Sequence, residues 1–431
     1  MEKLIGIRRE DKNIWERRVP LIPKHIKKMK EEHSINFIVQ PFERRTFSDD
    51  AYREAGAEIN EDLGRCPIIM AVKEIPVKLL MPEKTYIYFS HTIKGQSYNM
   101  PMLKQLMKLK CTLIDYELIS DSDGRRLVFF GKYAGLAGMV EALYGMGLRY
   151  KSLGYETPFL KIRQPYHYSD INEAKKEIKL IAEEISISGL PRELQPLVVG
   201  FTGYGNVSKG AQDIFNLLPN QILSPEELLT KSDYDQNILY KVVFKEEHMV
   251  EPADPSAKFK LKDYFKNPEN YKSVFEKYIP KLSVVINAIY WNEKSPIFIT
   301  KKYFKENRKT KLQVIADISC DINGSVEFTE KVTMPDSPAY VYDGNKDTIT
   351  DGYEGEGVVN IAIDNLPTEL PRDASIEFSR SLNPFIPGIT AADLNLPFEE
   401  CNFPPEIKKA VILYKGELTP GFQYLKEYLK K

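Results

Sequence analysis

The chain has 431 residues, enough for two ordinary domains, because single cores rarely grow beyond roughly 250 to 300 residues. Hydrophobic residues make up 42% and charged residues 28% of the chain, which is typical of a packed globular protein and excludes a disordered or fibrous one. The 60 Lys and Arg residues balance 61 Asp and Glu residues, so neither nucleic acid nor an anionic membrane surface is expected as a partner. No apolar run approaches the ~18 residues that span a bilayer, and residues 1–7 predict a first strand rather than a signal peptide. We therefore expect a soluble protein that acts on small molecules.

The four cysteines do not form a metal-binding or disulfide pattern. Cys66, Cys111, Cys320 and Cys401 lie far apart, with no CxxC pair and no histidine at ligand spacing. The sequence therefore predicts buried, reduced thiols and no metal site.

The first third of the chain alternates short apolar runs with amphipathic stretches. Residues 35–39, 68–72, 87–89 and 112–114 are predicted strands, and residues 24–32 and 102–109 carry helical periodicity. This alternation predicts an α/β domain. Residues 133–153 contain many small side chains, which indicates a buried linking helix that packs closely, and residues 170–185 predict a more exposed helix.

A second domain is predicted from an apolar run at 197–201 that leads into a glycine-containing turn and then a helix. Continuous apolar runs at 282–289 and 312–318 predict later parallel strands, whereas the charged region 231–278 gives no clear order. Because no second glycine loop follows, the stretches at 361–367 and 374–382 are expected to return to the first domain. We thus expect a substrate domain at 1–140 and 362–431, and a dinucleotide-binding domain at 141–361 with a helical connection at 151–195.

The turn at Gly203, Gly205 and Ser208 is a variant of the GxGxxG fingerprint of dinucleotide-binding proteins. The glycines permit a tight turn and a close approach of backbone N–H groups to a pyrophosphate at the start of the next helix. A glycine turn with a purely structural role is the alternative. Ser224 ends the second predicted strand, where NAD-preferring proteins usually carry an acidic residue, so the sequence favours NADPH although Glu226 and Glu227 are close.

Charged residues cluster after the predicted strands of the first domain. Five arginines and lysines lie between residues 8 and 18, where a solvated loop is the simplest interpretation. Lys73 ends one apolar strand, and partial burial beside other cations would favour its neutral amine, although a lysine at a strand end can also reach solvent. His91 ends another strand, and a histidine there exchanges protons near neutral pH unless its role is structural. Because α/β sheets place their sites at the carboxyl ends of strands, the two residues together predict an acid/base pair.

Many segments along nearly the whole chain resemble one family, the lysine-2-oxoglutarate reductase domain of bifunctional aminoadipate semialdehyde synthases. Related to this family are the lysine-forming saccharopine dehydrogenases and, more distantly, alanine dehydrogenase and transhydrogenase. The segments that carry the resemblance are residues 8–10, 16–21, 72–74, 89–94, 131–139, 201–211, 287–291, 317–321 and 363–367.

The resemblance implies roles for individual residues. Lys73 and His91 match the catalytic acid/base pair of these families. The matching substrate-side positions are Arg18, Lys94, Gln96, Arg126 and Phe130, with Ala288, Ile289 and Tyr290 in a loop near the nicotinamide. The matching cofactor-side positions are Arg125, Gly203, Gly205, Asn206, Val207, Ser208, Ser224, Asp317, Ile318 and Ser319.

The resemblance also implies two Rossmann-like domains with parallel sheets, an active-site cleft between them, and a reaction that reduces the imine of L-lysine and 2-oxoglutarate with NADPH to saccharopine. The NAD-dependent lysine-forming dehydrogenases carry a cysteine in the glycine loop, whereas this chain has Asn206, Val207 and Ser208. Alternatives are such an NAD-dependent enzyme, an alanine dehydrogenase acting on pyruvate and ammonia, or a dinucleotide sensor without catalysis. A homo-oligomer is left open, and the expected compartment is the cytoplasm, or the mitochondrial matrix for a domain cut from a longer precursor.

Overall fold

The computed structural model describes residues 3–430 and divides the chain into two compact units. The first unit contains the chain up to Phe130 and again from Pro371, and the second unit contains Gly131–Leu370. The predicted boundaries were 140 and 361. The first boundary differs because a helix of the second unit begins at Gly131. The second differs because Leu366 and Leu370 pack in the core of the second unit.

The N-terminal part of the first unit alternates strands and helices, as its sequence predicts. The elements in its described residues are β1 (Leu4–Ile7), α1 (Pro23–His33), β2 (Asn36–Val39), α2 (Asp49–Glu54), β3 (Glu58–Ile59), β4 (Ile68–Met70), β5 (Thr85–Tyr88), α3 (Met100–Lys108) and β6 (Thr112–Asp115).

The second unit begins with a long helix and contains a larger set of strands. Its elements are α4 (Gly131–Ser152), α5 (Ile171–Ser188), β7 (Val198–Thr202), α6 (Asn206–Phe215), β8 (Asn220–Leu223), α7 (Pro225–Thr230), β9 (Leu239–Phe244), α8 (Glu246–Met249), β10 (Val250–Pro252), α9 (Leu261–Lys266), β11 (Tyr271–Ser273), β12 (Val284–Asn287), α10 (Lys301–Glu306), β13 (Val314–Asp317), β14 (Ala339–Asp343), β15 (Thr348–Asp351) and β16 (Val358–Ile361).

The chain then returns to the first unit. The elements of this segment are α11 (Pro371–Leu382), α12 (Ile386–Ala391), α13 (Pro405–Lys409), β17 (Val411–Tyr414), β18 (Glu417–Leu418) and α14 (Lys426–Leu429).

The sheet of the first unit has the strand order β18-β17-β6-β5-β4-β1-β2-β3. Strands β1 to β6 are parallel, and β17 and β18 extend the sheet antiparallel. The order of the six parallel strands is that of a doubly wound Rossmann sheet. Its consequence for the site is that the carboxyl ends of β1, β4 and β5 are neighbours.

The sheet of the second unit has the order β15-β14-β16-β13-β12-β7-β9-β8. Strands β7, β8, β9, β12, β13 and β16 are parallel, β14 is antiparallel to β16, and β15 is antiparallel to β14. Two largely parallel sheets confirm the predicted α/β fold class. The charged region at 231–278 supplies β9, the strand between β7 and the edge strand β8, which the sequence does not reveal because Lys241 interrupts its apolar run.

Helix α4 packs closely on α6, as its small residues predict. A Cβ atom on Gly135 would lie 1.9 Å from the Val207 carbonyl oxygen, and one on Gly210 would lie 2.2 Å from the Lys132 carbonyl oxygen. The whole of α4 therefore packs with the second sheet, which moves the boundary from 140 to 130. None of the helices within residues 3–430 is long and apolar enough to cross a membrane.

Candidate active site and dinucleotide loop

The structure brings the segments of Lys73 and His91 to one edge of the first sheet. Lys73 follows β4 and His91 follows β5, and these strands pair in parallel with Met70 opposite Ile87. The loop that carries Arg18 follows β1, the other neighbour of β4. The two candidate acid/base residues are thus carried by adjacent strand ends, the place where α/β sheets build binding sites.

A buried glutamate, Glu10, ties the loop after β1 to the loop after β4. Its two carboxyl oxygens accept hydrogen bonds from the backbone N–H groups of Val72, at 2.6 Å, and Lys73, at 3.0 Å. Burial, with a smaller effect from the nearby Glu16, raises the pKa of Glu10 to about 8. Glu10 therefore fixes the backbone from which the Lys73 side chain extends.

Glu16 and Arg18 form a fully buried ion pair in the same loop. The Arg18 Nε donates to Glu16 at 2.8 Å and its Nη2 donates to the second carboxyl oxygen at 2.5 Å. Burial acts to raise the pKa of Glu16, but the charges of Arg18 and Lys73 outweigh it and the pKa is lowered. The loop is therefore not merely solvated, because its central arginine is 2% exposed and stacks over the Phe130 ring at 4.2 Å.

Glu74 lies between a lysine and the candidate histidine. One of its oxygens binds Lys12, and the other lies 3.3 Å from the Nδ1 atom of His91. Burial acts to raise the pKa of Glu74, but the contacts with His91 and Lys12 lower it to about 2. An ionised carboxylate at this distance fixes the orientation of the imidazole ring.

The other substrate-side residues of the first unit are less buried. Lys94 is exposed, and its backbone N–H donates to the Gln96 side chain at 3.0 Å. Arg126 is 43% exposed and lies 3.6 Å from Glu117. Arg125, expected on the cofactor side, forms ion pairs within its own turn, with Asp121 at 2.7 Å and Asp123 at 3.1 Å.

The glycine loop of the second unit joins a fully buried strand to a ten-residue helix. Gly203 has a φ of +78°, which glycine adopts without strain, and a Cβ atom there would lie 3.1 Å from the Ala288 carbonyl oxygen. A Cβ atom on Gly205 would meet nothing within 4 Å, so the backbone at this position faces open space. Ser208 is fully buried, as expected of the residue that packs the helix on the sheet.

The ends of the neighbouring strands are linked by a buried polar network. The Asn287 amide accepts from the Thr202 hydroxyl and donates to Asp317, both at 2.7 Å. The Ser319 hydroxyl donates to the Ile289 carbonyl at 2.6 Å, and Tyr290 is 75% exposed. Burial raises the pKa of Asp317, whose carboxylate serves this network rather than facing solvent.

The preference for NADPH is inferred from Ser224 on the expectation that it ends a strand next to β7, the strand before the glycine loop. Ser224 does not end such a strand. Strand β8 pairs with β9, and β9 pairs with β7, so Ser224 follows the outer strand. Its hydroxyl accepts from the Glu227 N–H at 3.1 Å and caps α7. The strand next to β7 ends instead at Phe244, whose carbonyl accepts from the Gly203 N–H at 2.8 Å, and Lys245 and Glu246 follow.

The residues present fit a dinucleotide. The N–H groups of Asn206, Val207 and Ser208 begin α6 and lack acceptors within that helix, and the open backbone at Gly205 lies directly before them. Such N–H groups and the helix dipole favour a pyrophosphate.

Two family models match the chain in order. "Alanine dehydrogenase/PNT, N-terminal domain" matches residues 6–137, and "Alanine dehydrogenase/PNT, C-terminal domain" matches residues 247–421. The chain belongs to the alanine dehydrogenase/PNT family. The matched ranges of this family leave out residues 203–211, so the glycine loop is an independent sign of a nucleotide site.

Among curated proteins, the chain is 39% identical to alpha-aminoadipic semialdehyde synthase of Arabidopsis thaliana, over 98% of this chain and 41% of that protein. It is 37% identical to the mitochondrial synthase of Mus musculus, over 98% of this chain and 48% of that protein. The chain thus spans about half the length of these relatives. A saccharopine dehydrogenase [NAD(+), L-lysine-forming] of Emericella nidulans is 25% identical, over 79% of this chain and 80% of that protein. A solved L-alanine dehydrogenase shares the family fold, with a TM-score of 0.63, 17% identity and 99% coverage of both chains.

Sequence reasoning missed three carboxylates of this family member's first unit: Glu10, Glu16 and Glu74. Each lies in a segment that the sequence singles out for its lysine or arginine residues. Glu74 directly follows Lys73, and Glu16 lies two positions before Arg18, which is a usable signal for an ion pair. Glu10 had no such signal, because its partners lie 62 and 63 residues away along the chain.

Proposed function

We propose that this chain is a lysine-2-oxoglutarate reductase, which joins the ε-amine of L-lysine to 2-oxoglutarate and reduces the resulting imine with NADPH to saccharopine. The observation that carries the proposal is the placement of Lys73 and His91 after adjacent strands, at an edge that also holds the buried ion pair of Glu16 and Arg18. The relative named saccharopine dehydrogenase [NAD(+), L-lysine-forming] supports the choice of lysine and saccharopine. The resemblance to the alpha-aminoadipic semialdehyde synthases over 98% of the chain supports the assignment to their reductase domain.

Lys73 and His91 serve as the acid/base pair of imine formation. The neutral amine attacks the ketone, a proton moves from nitrogen to oxygen to give the carbinolamine, and water leaves to give the imine. Each stage needs a proton donor or acceptor near neutral pH. Glu74 holds the imidazole of His91, and Glu10 fixes the backbone of Lys73.

An exposed arginine of the first unit binds a carboxylate of the substrates. Lysine and 2-oxoglutarate bring three carboxylates between them, and planar guanidinium groups bind such groups in two-point fashion. Arg126 is exposed and only loosely paired with Glu117, at 3.6 Å, so it is available to a substrate. The Nε and Nη2 atoms of Arg18 are engaged by Glu16, so Arg18 contributes its charge and its contact with Phe130.

Gly203, Gly205 and the first N–H groups of α6 would hold the pyrophosphate of the dinucleotide. When bound, the dinucleotide would supply the hydride that adds to the imine carbon, and a proton on the nitrogen completes the secondary amine. Residues 288–290 and 317–319 follow the two strands beyond β7 and would bound the nicotinamide side of the site. Lys245, at the end of the strand beside β7, supports NADPH because its cation suits a 2'-phosphate, and the absence of cysteine at Asn206 to Ser208 supports it as well.

We further propose the mitochondrial matrix as the compartment, since the Mus musculus relative is described as mitochondrial.

A substrate screen tests the proposal. The purified chain is incubated with NADPH and 2-oxoglutarate together with lysine or ammonia, and with NADPH, pyruvate and ammonia, while absorbance at the NADPH band is followed. We expect oxidation that requires both lysine and 2-oxoglutarate. Oxidation with ammonia and pyruvate alone would instead assign an alanine dehydrogenase, and nucleotide binding without turnover of any pair would assign a sensor.

A further inference from the structure

His91 has a backbone conformation that side chains of its size rarely adopt. Its φ is +47°, in the left-handed region, where a residue other than glycine is strained. Such strain persists only where the surroundings enforce it. The residues that enforce it therefore determine where the imidazole points.

A carboxylate holds the residue before His91 from one side. Asp115 ends β6, the strand beside β5, with Tyr88 opposite it in the pairing. One oxygen of the fully buried Asp115 accepts from the Ser90 backbone N–H at 3.0 Å and from its hydroxyl at 2.5 Å. The Ser90 hydroxyl also lies 2.7 Å from that of Thr92, so the residues on both sides of His91 are fixed.

An amide holds the same segment from the other side. The side chain of Asn99, which is 5% exposed, donates to the Ser90 carbonyl at 2.9 Å and lies 3.4 Å from the His91 carbonyl. Asn99 belongs to a short turn at Ser97–Asn99 that precedes α3, and so comes from a different element than Asp115. The peptide between Ser90 and His91 is thus held through its oxygen and through the N–H that precedes it.

We infer that Asn99 and Asp115 are positioning residues that act through His91. They impose the left-handed turn that places the imidazole beside Glu74, 3.3 Å away, and over the Phe89 ring, whose centroid lies 6.3 Å from that of His91. The inference rests on the proposed function for its catalytic consequence, but the conformation of His91 does not depend on that function.

The test compares Asn99→Ala with a matched control, Thr419→Val. Thr419 is also buried in the first unit and donates to a backbone carbonyl, that of Val411, at 2.6 Å. Both variants lose a buried hydrogen bond, but only Asn99 contacts the His91 segment. We expect Asn99→Ala to lower kcat about 10- to 100-fold, the effect of misplacing a reacting group by about 1 Å, with nucleotide affinity unchanged. Thr419→Val should retain its kcat.

A second background shows whether Asn99 acts through His91. In His91→Ala, removal of the Asn99 amide should lower kcat no further, because residues that act through one group are not additive. Asp115→Asn should behave like Asn99→Ala in both backgrounds. Equal losses in the wild-type and His91→Ala backgrounds would overturn the inference.

A readout that needs no turnover separates this inference from the proposed function. The ring signal of His91 in a proton NMR spectrum is assigned by its absence in His91→Ala, and it is sensitive to the nearby Phe89 ring. Asn99→Ala should move this signal and leave those of the other histidines in place, and Thr419→Val should move none. An unmoved His91 signal would refute the positioning role even if the enzyme acts on other substrates. A moved signal without any turnover of lysine would instead leave the positioning in place and remove the proposed function.

Discussion

The two sheets offer sites of opposite kinds at their strand ends. After β1, β4 and β5 the first unit places side chains, many of them charged and buried, that hold one another through Glu10, Glu16 and Glu74. After β7 the second unit offers mainly backbone, with a glycine that no side chain crowds. The contrast teaches that the proposed proton transfers depend on the identity of a few side chains, whereas nucleotide binding depends on the absence of side chains.

The largest effect should come from the acid/base pair. Removing a positioned acid or base costs about 10²- to 10⁴-fold in rate, so Lys73→Met and His91→Ala should each lower kcat strongly. The double variant should be only slightly slower than the worse single one, because the two act as a unit. Steady-state kinetics and a nucleotide titration check this, since NADPH affinity should be unchanged. Near-normal kcat in both folded single variants would show that the pair is structural.

Arg18 and Arg126 should differ in their roles, with Arg18 stabilising the fold and Arg126 binding substrate. Arg18→Ala removes the guanidinium that forms the buried ion pair with Glu16, which should destabilise the first unit by about 3 to 5 kcal/mol. Arg126→Ala should leave stability unchanged and raise KM for lysine or 2-oxoglutarate by the loss of about 1.5 to 3 kcal/mol of binding. Denaturant unfolding and KM measurements on both variants distinguish the two. Equal stability of the two variants would contradict the assignment.

Two glycines of the second unit should respond differently to added side chains. Gly205→Val places a side chain in the open space before α6, so nucleotide affinity should fall by about tenfold or more, the cost of one charge-assisted contact, with little change in melting temperature. Gly135→Ala forces a Cβ atom against the Val207 carbonyl and should cost about 1 to 3 kcal/mol of stability. Fluorescence titration with NADPH and thermal unfolding measure the two effects. If Gly205→Val binds NADPH with normal affinity, the loop from Gly203 to Ser208 is only a structural turn.

The second unit also contains two buried carboxyl groups, which predict a pH effect on its stability. Burial raises the pKa of Glu141 to about 7 and that of its neighbour Glu369 well above the ordinary value. Unfolding exposes both carboxyls, which then lose protons above about pH 4.5, so stability should fall as pH rises from 4.5 through 7. The melting temperature should change less between pH 5 and pH 8 in Glu369→Gln than in the wild type. Each kcal/mol of unfolding free energy corresponds to a shift of about 2 to 4 °C in melting temperature. An equal change of melting temperature with pH in the variant and the wild type would show that Glu141 and Glu369 do not cause the pH effect.

The smallest effect concerns coenzyme choice. The sequence predicts that Ser224→Asp moves the preference towards NADH, but Ser224 follows the outer strand and caps α7. We expect Lys245→Gln, which like Ser224→Asp changes the charge by one unit, to shift the NADPH to NADH ratio more than Ser224→Asp does, by about fivefold for one charge at close range in water. The ratio of kcat/KM values for the two coenzymes decides this. If Ser224→Asp changes the ratio more, the ribose of the coenzyme binds at the end of β8 and not at the end of β9.

The sequence predicted strand ends better than strand order. Runs such as residues 197–201 mark a buried strand by themselves, and Lys73 and His91 can be placed at strand ends from local pattern alone. Strand β9 was not predicted because it contains Lys241, whose buried amine donates to the Asn216 side chain at 2.7 Å. Its place beside β7 depends on pairing between distant segments, which local pattern does not encode. The same holds for Glu10, whose role appears only once β1 and β4 are neighbours.

Product analysis of the wild-type reaction tests the central claim most directly. The chain is incubated with L-lysine, 2-oxoglutarate and NADPH, and the products are separated and weighed by mass spectrometry. The account predicts one secondary amine that carries both carbon skeletons, formed in equal amount to the NADPH oxidised. NADPH oxidation that leaves lysine unconsumed, with an amino acid derived from ammonia as the product, would contradict it.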